Sequence, residues 1–219
     1  GKLDGEAIGY YENGQIKVKG IFKDGSGKSI GYYENGQIER KENYKDGKLD
    51  GKVIEYYESG EIEKEEYYKD GKLDGKLIEY YENGEIKGKG IFKDGSGKFI
   101  GYYESGEIEK EEYYKDGELD GEEIGYYESG QIQYKSIFKD GKKNGELIQY
   151  YEDGQIEYKS NFKDDKLHGK KFGYYENGQI QSKYNFKDGK LNGELIQYYE
   201  DGQIELKIYY ENGKKDGMY

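Results

Sequence analysis

One motif recurs along the whole chain: Tyr-Tyr-Glu, followed by Asn, Ser or Asp and then Gly. It occurs nine times, with its glycine at positions 14, 36, 60, 84, 106, 130, 154, 178 and 202, a spacing of 22 or 24 residues. A fixed period of this length is typical of repeat arrays, in which each unit packs against its neighbours. The sequence therefore predicts a single array over residues 1–219, with both ends in the phase of the repeat.

Each repeat has the pattern of a β-hairpin. Residues 52–75, for example, contain two segments rich in Ile and Tyr, each bounded by a turn that contains Gly. Helix is excluded because Gly recurs about every ten residues and the apolar period is two. The absence of Pro fits a chain whose backbone N–H groups are used in ladders. We predict an all-β fold, an elongated antiparallel meander of about nine hairpins forming an open twisted sheet.

The length of the first turn decides which side chains share a face. A three-residue loop, Glu12-Asn13-Gly14, places Tyr10 opposite Ile16 and puts the recurrent Ile8, Tyr10, Ile16 and Phe22 positions on one face, whereas a two-residue loop splits them. We favour the three-residue loop. The predicted association face then comprises Ile8, Tyr10, Ile16, Phe22, Ile54, Tyr56, Ile62, Tyr68, Ile148, Tyr150, Ile156 and Phe162.

The second tyrosine of each pair is expected on the opposite face, among Lys17, Lys19, Glu63 and Glu65. These tyrosines either pack across strands to stabilise a thin sheet or form a binding strip for a protein or a glycan. The candidate binding ladder comprises Tyr11, Tyr33, Tyr57, Tyr81, Tyr103, Tyr127, Tyr151, Tyr175 and Tyr199.

Charge limits the classes of partner. The formal net charge is −12, and no basic stripe is present to bind a phosphate backbone, so we expect no nucleic-acid partner. No apolar run is long enough to span a bilayer, so we expect no membrane insertion. The absence of Cys fits a secreted protein and equally a cytosolic one; an extracellular or cell-surface location is slightly favoured.

Catalytic chemistry has little support in these residues. His168 is the only histidine and stands at a turn position occupied by Asp or Asn in other repeats. The carboxylates Glu61, Glu63 and Glu65 recur at solvated positions without an apolar pocket that would raise one pKa. Asp116 and Asp120 weakly resemble a calcium loop, but a turn in which Asp bonds backbone explains them better. We predict no enzyme activity, cofactor or metal.

The block Tyr-Tyr-Glu-Asn-Gly-Gln-Ile, followed by Phe-Lys-Asp-Gly-Lys-Leu-Asn-Gly, resembles the MORN repeat in its bacterial variant, many members of which are labelled YwqK-family antitoxins. The resemblance extends from Gly1 to Gly217 and implies β-hairpin arrays used for assembly or protein contact; the antitoxin label implies a partner toxin. The chain departs from common MORN repeats in lacking Trp and in its abundant Tyr. A fainter similarity is to tyrosine-rich cell-wall-binding hairpin repeats, which implies glycan binding.

These observations favour a non-enzymatic scaffold that associates with itself, as a dimer in which two apolar faces pack back to back, or as an end-to-end filament because both ends resemble interior repeats. The alternative interpretation of the ends is that they are the boundaries of a fragment of a longer protein. Two alternatives stay open: an antitoxin-like protein that binds one partner, and a glycan-binding protein of the cell surface.

Overall fold

A computed structural model describes residues 2–216. In this range the fold is all-β and antiparallel, as predicted, with two main strands per repeat. Five additional two-residue strands follow second turns. The chain forms two compact units, one of residues up to Gly106 with Tyr114–Gly117, the other of Glu107–Tyr113 with the residues from Glu118 onward.

The strands of the first unit are β1 (Gly5–Tyr10), β2 (Ile16–Lys23), β3 (Ser26–Tyr32), β4 (Ile38–Lys45), β5 (Lys48–Leu49), β6 (Gly51–Tyr56), β7 (Ile62–Lys69), β8 (Lys72–Tyr80), β9 (Ile86–Lys93) and β10 (Ser96–Tyr102). The residues of β11 (Ile108–Lys115) are divided between the two units. The strands of the second unit are β12 (Glu118–Leu119), β13 (Gly121–Tyr126), β14 (Ile132–Lys139), β15 (Lys142–Tyr150), β16 (Ile156–Lys163), β17 (Lys166–Leu167), β18 (Gly169–Tyr174), β19 (Ile180–Lys187), β20 (Lys190–Leu191), β21 (Gly193–Tyr198), β22 (Ile204–Glu211) and β23 (Lys214–Lys215).

The first turn of each repeat is the predicted three-residue loop. In the first repeat the Tyr11 N–H donates to the Gln15 carbonyl at 2.8 Å, and the Gly14 N–H donates to the Tyr11 carbonyl at 3.0 Å. Gly14 has φ +85°, a conformation that glycine adopts without a Cβ clash. The Asn13 side chain accepts a hydrogen bond from the Gln15 N–H at 2.9 Å, which explains the preference for Asn or Asp before the glycine.

The second turn is a two-residue loop in which both residues have positive φ, Asp24 at 51° and Gly25 at 80°. This is the type I′ geometry, which matches the twist of the paired strands. Neighbouring turns are also joined, because the Gly47 N–H donates to the Gly25 carbonyl at 2.7 Å. The turns therefore help to hold one repeat against the next.

A β-bulge beside the first turn changes the register that the sequence predicted. Tyr10 pairs with Ile16, but Gly9 pairs with Val18, so Lys17 is an extra residue on its strand. As a result Ile8 pairs with Lys19 rather than with Val18. Pairing shifts at the corresponding position in other repeats, for example between Glu55 and Tyr56.

The prediction that the Ile8, Tyr10, Ile16 and Phe22 positions share one face is therefore wrong. Side chains alternate along a strand, and directly paired residues share a face, so Ile8 and Lys19 lie on one face while Phe22 lies on the other. Of the twelve residues of the predicted association face, Phe22, Tyr68 and Phe162 lie on one face of the sheet, and the other nine lie on the other face. Lys19 and Glu65 were expected on the face away from Ile8 and Ile54, but they pair with these residues and share their face.

We call the face that carries Ala7, Gly20 and Phe22 and their equivalents the packed face. Most of the buried side chains belong to it, among them Val53, which is 1% exposed. In the first unit, Leu77, Phe92 and Phe99 form a buried cluster. The Phe92 and Phe99 rings lie over the backbone of Gly90 and Gly88, where an added Cβ would come within 2.6 and 2.2 Å of ring carbons. The Phe99 ring thus covers a glycine on the neighbouring strand, and the Phe92 ring covers a glycine two residues away on its own strand.

The packed face also buries charge. Lys64 and Glu66 lie 2.9 Å apart between Nζ and Oε1, and the Glu66 side chain is 8% exposed. The Tyr68 hydroxyl donates to the other Glu66 oxygen at 3.2 Å, and Lys64 also lies 3.5 Å from Glu79. Since buried carboxylates are stable only when paired, this network is part of the core of its repeat.

Candidate functional site

The second tyrosine of most pairs bonds its repeat to the next. The Tyr33 hydroxyl donates to the main-chain carbonyl of Tyr56 at 2.6 Å, 23 residues further along the chain. The same bond, at 2.6–2.9 Å, is made by Tyr11, Tyr57, Tyr81, Tyr127, Tyr151 and Tyr175 to Tyr32, Tyr80, Tyr102, Tyr150, Tyr174 and Tyr198, respectively. Tyr103 is half-buried, and Tyr199 is 52% exposed.

These bonds define what the tyrosine ladder does chemically. Burial raises the pKa of Tyr33 and Tyr57, and nearby glutamates raise it further, so the hydroxyls stay protonated and remain donors. A hydroxyl that already donates to a carbonyl has no second proton to offer a sugar. The ladder therefore links successive repeats through hydrogen bonds.

Replacing Tyr33 with Phe should lower the free energy of unfolding by about 1 kcal/mol, because the Tyr56 carbonyl loses a donor at a half-buried site. Tyr32→Phe is the matched control, since Tyr32 contributes its main-chain carbonyl to the same series of bonds and keeps it after substitution. Urea unfolding followed by circular dichroism measures both. Equal losses for the two variants would contradict the role assigned to the second tyrosine.

Stability should fall at alkaline pH. The Tyr44 hydroxyl donates to Glu42 at 2.9 Å, and burial, followed by that hydrogen bond, raises the pKa of Tyr44 to about 12. The folded state therefore holds this proton more tightly than the unfolded chain, whose tyrosines titrate near pH 10. The contribution is complete below about pH 10 and is lost as the pH rises through about 12. The urea midpoint of unfolding should fall over that window while the absorbance of tyrosinate rises. A constant midpoint would contradict this.

The opposite face, which we call the open face, carries a row of alternating isoleucine and lysine. Ile8 pairs with Lys19, which pairs with Ile30, which pairs with Lys41. The first unit continues this row as Ile54, Glu65, Ile78, Lys89 and Ile100. The second unit has a row of the same kind, formed by Glu111, Ile124, Lys135, Ile148, Lys159, Phe172, Lys183, Ile196 and Lys207.

A second row runs beside the first on the open face. In the first unit it comprises Glu6, Ile21, Lys28, Asn43, Lys52, Tyr67, Lys76, Ile91 and Lys98. Ile21 is 66% and Ile91 is 73% exposed, and Tyr67 is 38% exposed. We call the two rows of the first unit together the Ile–Lys strip. Sequence reasoning missed this strip, although lysine recurs at the Lys19 position in seven of nine repeats.

The family of the chain follows from the repeats themselves. The model of the MORN repeat variant matches nine segments, residues 3–24, 26–46, 49–70, 73–94, 96–116, 119–140, 143–164, 167–188 and 191–212, one for each hairpin. The chain belongs to the MORN repeat variant family. MORN repeats of this kind make it a repeat scaffold for interaction. A search of curated proteins gives no match, so the antitoxin label stays a prediction.

Comparison with solved structures adds little to the MORN assignment. The chain aligns with TcdB2-TccC3-Cdc42 at 13% identity over 95% of its own length and 14% of that chain, with a TM-score of 0.20. It aligns with a porin-like protein from Bacteroides uniformis at 9% identity over 96% of its length and 92% of that chain, with a TM-score of 0.22. Likenesses at these scores carry no argument about function.

The acids of the MORN turns bind backbone or lysine. Asp120 accepts a hydrogen bond from the Asp140 N–H at 3.3 Å, and Asp116 lies 3.2 Å from the Lys72 ammonium. His168 Nδ1 lies 3.4 Å from Asp188 in a half-exposed pair. Within residues 2–216 there is no group of three or more metal-binding side chains. The same residues include no helix of the length and hydropathy needed to cross a bilayer.

The carboxylates Glu61, Glu63 and Glu65 do not form a common site. Glu65 lies on the open face and pairs with the Lys52 ammonium at 2.7 Å, while Glu61 accepts the Tyr57 N–H through its main-chain carbonyl in the first turn. Glu63 is the extra residue of the bulge in its repeat, between Ile62, which pairs with Tyr56, and Lys64, which pairs with Glu55. Their positions follow from the repeat and its turns.

Proposed function

We propose that this chain is a non-enzymatic scaffold that binds protein through its open face. One observation carries the proposal: isoleucine side chains such as Ile21 and Ile91 remain largely exposed on a face whose opposite side is packed. Exposed apolar rows bounded by charge are typical of surfaces that contact other proteins. The partner is another protein or a further copy of this chain.

Two features favour a protein over a glycan as the partner. The tyrosine hydroxyls that would recognise a sugar donate instead to carbonyls of the next repeat, as Tyr33 does to Tyr56. The open face, in contrast, offers apolar side chains that a polar sugar would not cover. The predicted back-to-back association through a shared Ile8 and Phe22 face loses its basis, because these residues lie on opposite faces.

Site-specific photo-crosslinking tests this function. A benzophenone amino acid replaces Ile91 on the open face or, as the matched control, the exposed turn residue Asp94. We expect a discrete adduct from position 91. If the partner is a further copy of the chain, the adduct forms in the purified protein and has twice the mass of the chain. If the partner is a different protein, the adduct forms only in the native host. Equal adducts from both positions, or none from position 91, would contradict a binding role for the open face.

A further inference from the structure

The Ile–Lys strip has a charge opposite to that of the chain. It carries seven lysines against two glutamates, whereas the whole chain carries −12. Both glutamates are paired within the strip, Glu6 with Lys19 at 2.9 Å and Glu65 with Lys52 at 2.7 Å. The remaining excess of positive charge favours an anionic partner.

A groove of about 400 Å³ lies in the strip over β8, β9 and β10. Its lining includes Ile78, Ile91 and Ile100 from the two rows, flanked by Lys76, Lys89 and Lys98. The groove therefore combines an apolar floor with flanking ammonium groups. A partner that fits it presents apolar side chains and carboxylates together.

The spacing of the row indicates the conformation of that partner. Ile78 and Ile100 are two strands apart, about 9.6 Å in a regular sheet. Along an α-helix, residues seven positions apart lie on one face about 10.5 Å apart. In an extended segment the side chains of one face are about 6.6 or 13 Å apart, which fits less well. The row therefore matches a helix laid across the strands.

Acidic turns border the strip on both sides and limit the width of a partner. Exposed glutamates such as Glu58 and Glu82 occupy the first turns, and exposed aspartates such as Asp70 and Asp94 occupy the second. The main strands of the first unit have six to nine residues and separate these edges by roughly 20–30 Å. A flat anionic bilayer would meet both acidic edges, while a helix about 10 Å wide lies between them.

We propose that the Ile–Lys strip binds an acidic amphipathic helix of another protein. Its apolar side chains, one heptad apart, lie beside Ile78, Ile91 and Ile100, and its carboxylates face Lys76 and Lys89. A second copy of this chain placed strip to strip would bring lysines against lysines, so a different protein is the occupant. This inference rests on the proposed function and adds the class of partner.

Fluorescence anisotropy with a labelled helical peptide tests the inference. The probe has about 21 residues, so it is about 31 Å long, with leucines seven residues apart among glutamates and alanines. We expect saturable binding to the full chain that weakens as salt is raised, at least tenfold weaker binding to Lys89→Glu and to Ile91→Ser, and little change for Lys87→Glu. Lys87 is exposed and lies outside the strip, over the Tyr81 ring. Circular dichroism checks that each variant is folded.

Three results would overturn the inference: equal binding of a scrambled peptide, equal weakening by Lys87→Glu, or binding of phosphatidylglycerol vesicles without binding of the peptide. Crosslinks from position 91 with no peptide binding would overturn the acidic helix and leave the protein-binding function standing. Failure of both experiments would overturn the function as well.

Discussion

Truncation of Phe92 to Ala is expected to lower the free energy of unfolding by about 3 kcal/mol or more. The Phe92 side chain is 6% exposed and packs with Leu77 and Phe99. Its ring meets that of Tyr114 edge to face at 5.8 Å and covers the backbone of Gly90. Removing the ring leaves a cavity in a thin sheet that has few other side chains to fill it. Urea unfolding followed by circular dichroism measures the loss.

The adjacent Ile91 provides the matched control. Its side chain is 73% exposed on the open face, so Ile91→Ala should change the free energy of unfolding by about 0.5 kcal/mol or less. The contrast between two neighbouring apolar residues tests which face of the sheet is the core. Similar losses for both variants would contradict the assignment of the packed face.

Lys64→Met should be the second most damaging change, at about 3 kcal/mol, because it leaves the carboxylate of Glu66 buried without its cation. Glu79 loses a more distant partner at the same time. The Tyr68 hydroxyl remains as a donor to Glu66 and does not neutralise its charge. Chemical unfolding of the variant measures the effect.

Two variants separate a buried charge from a general effect of losing lysine. Lys72→Met removes an exposed pair with Asp116, whose side chain is 68% exposed, and should cost about 0.5 kcal/mol or less. Adding Glu66→Gln to Lys64→Met should recover much of the lost stability, since the uncompensated charge is then gone. A double variant no more stable than Lys64→Met would show that lost packing, and not charge, causes the effect.

The turns and the repeat were accessible from sequence because their chemistry is local. Asn13 and Gly14 specify the three-residue loop through one side-chain acceptor and one positive φ, and both are properties of the residue types. Asp24 and Gly25 specify the two-residue loop in the same way. Nine copies of these signals define the strands between them, so the all-β array follows.

The face assignment failed because a bulge depends on pairing across the hairpin. Lys17 is the extra residue, and its counterparts Glu39 and Glu63 are also polar, which by itself does not distinguish a bulge from an exposed strand position. One extra residue moves every following side chain to the other face. The residue before each Ile8 position could have revealed the bulge. In two repeats this residue is Val53 or Leu77, and both of these apolar side chains are buried.

Only part of the candidate site could be predicted, because the rest depends on pairing between strands and between repeats. The tyrosine ladder was found from its recurrence, but its bonds to carbonyls 21 or 23 residues away depend on how repeats stack. The Ile–Lys strip was missed, because Lys19 and its equivalents join Ile8 and its equivalents on one face only once the bulge is included.

The division of the sheet into a packed face and an open face is tested most directly by thiol labelling. The chain has no Cys, so single variants Val53→Cys and Ile91→Cys each carry one reporter. Val53 is 1% exposed and Ile91 is 73% exposed. We expect position 91 to react with a thiol reagent nearly as fast in the folded chain as in urea, and position 53 to be strongly protected until the chain unfolds. Fast labelling at position 53 or protection at position 91 would contradict the bulged register and the binding surface derived from it.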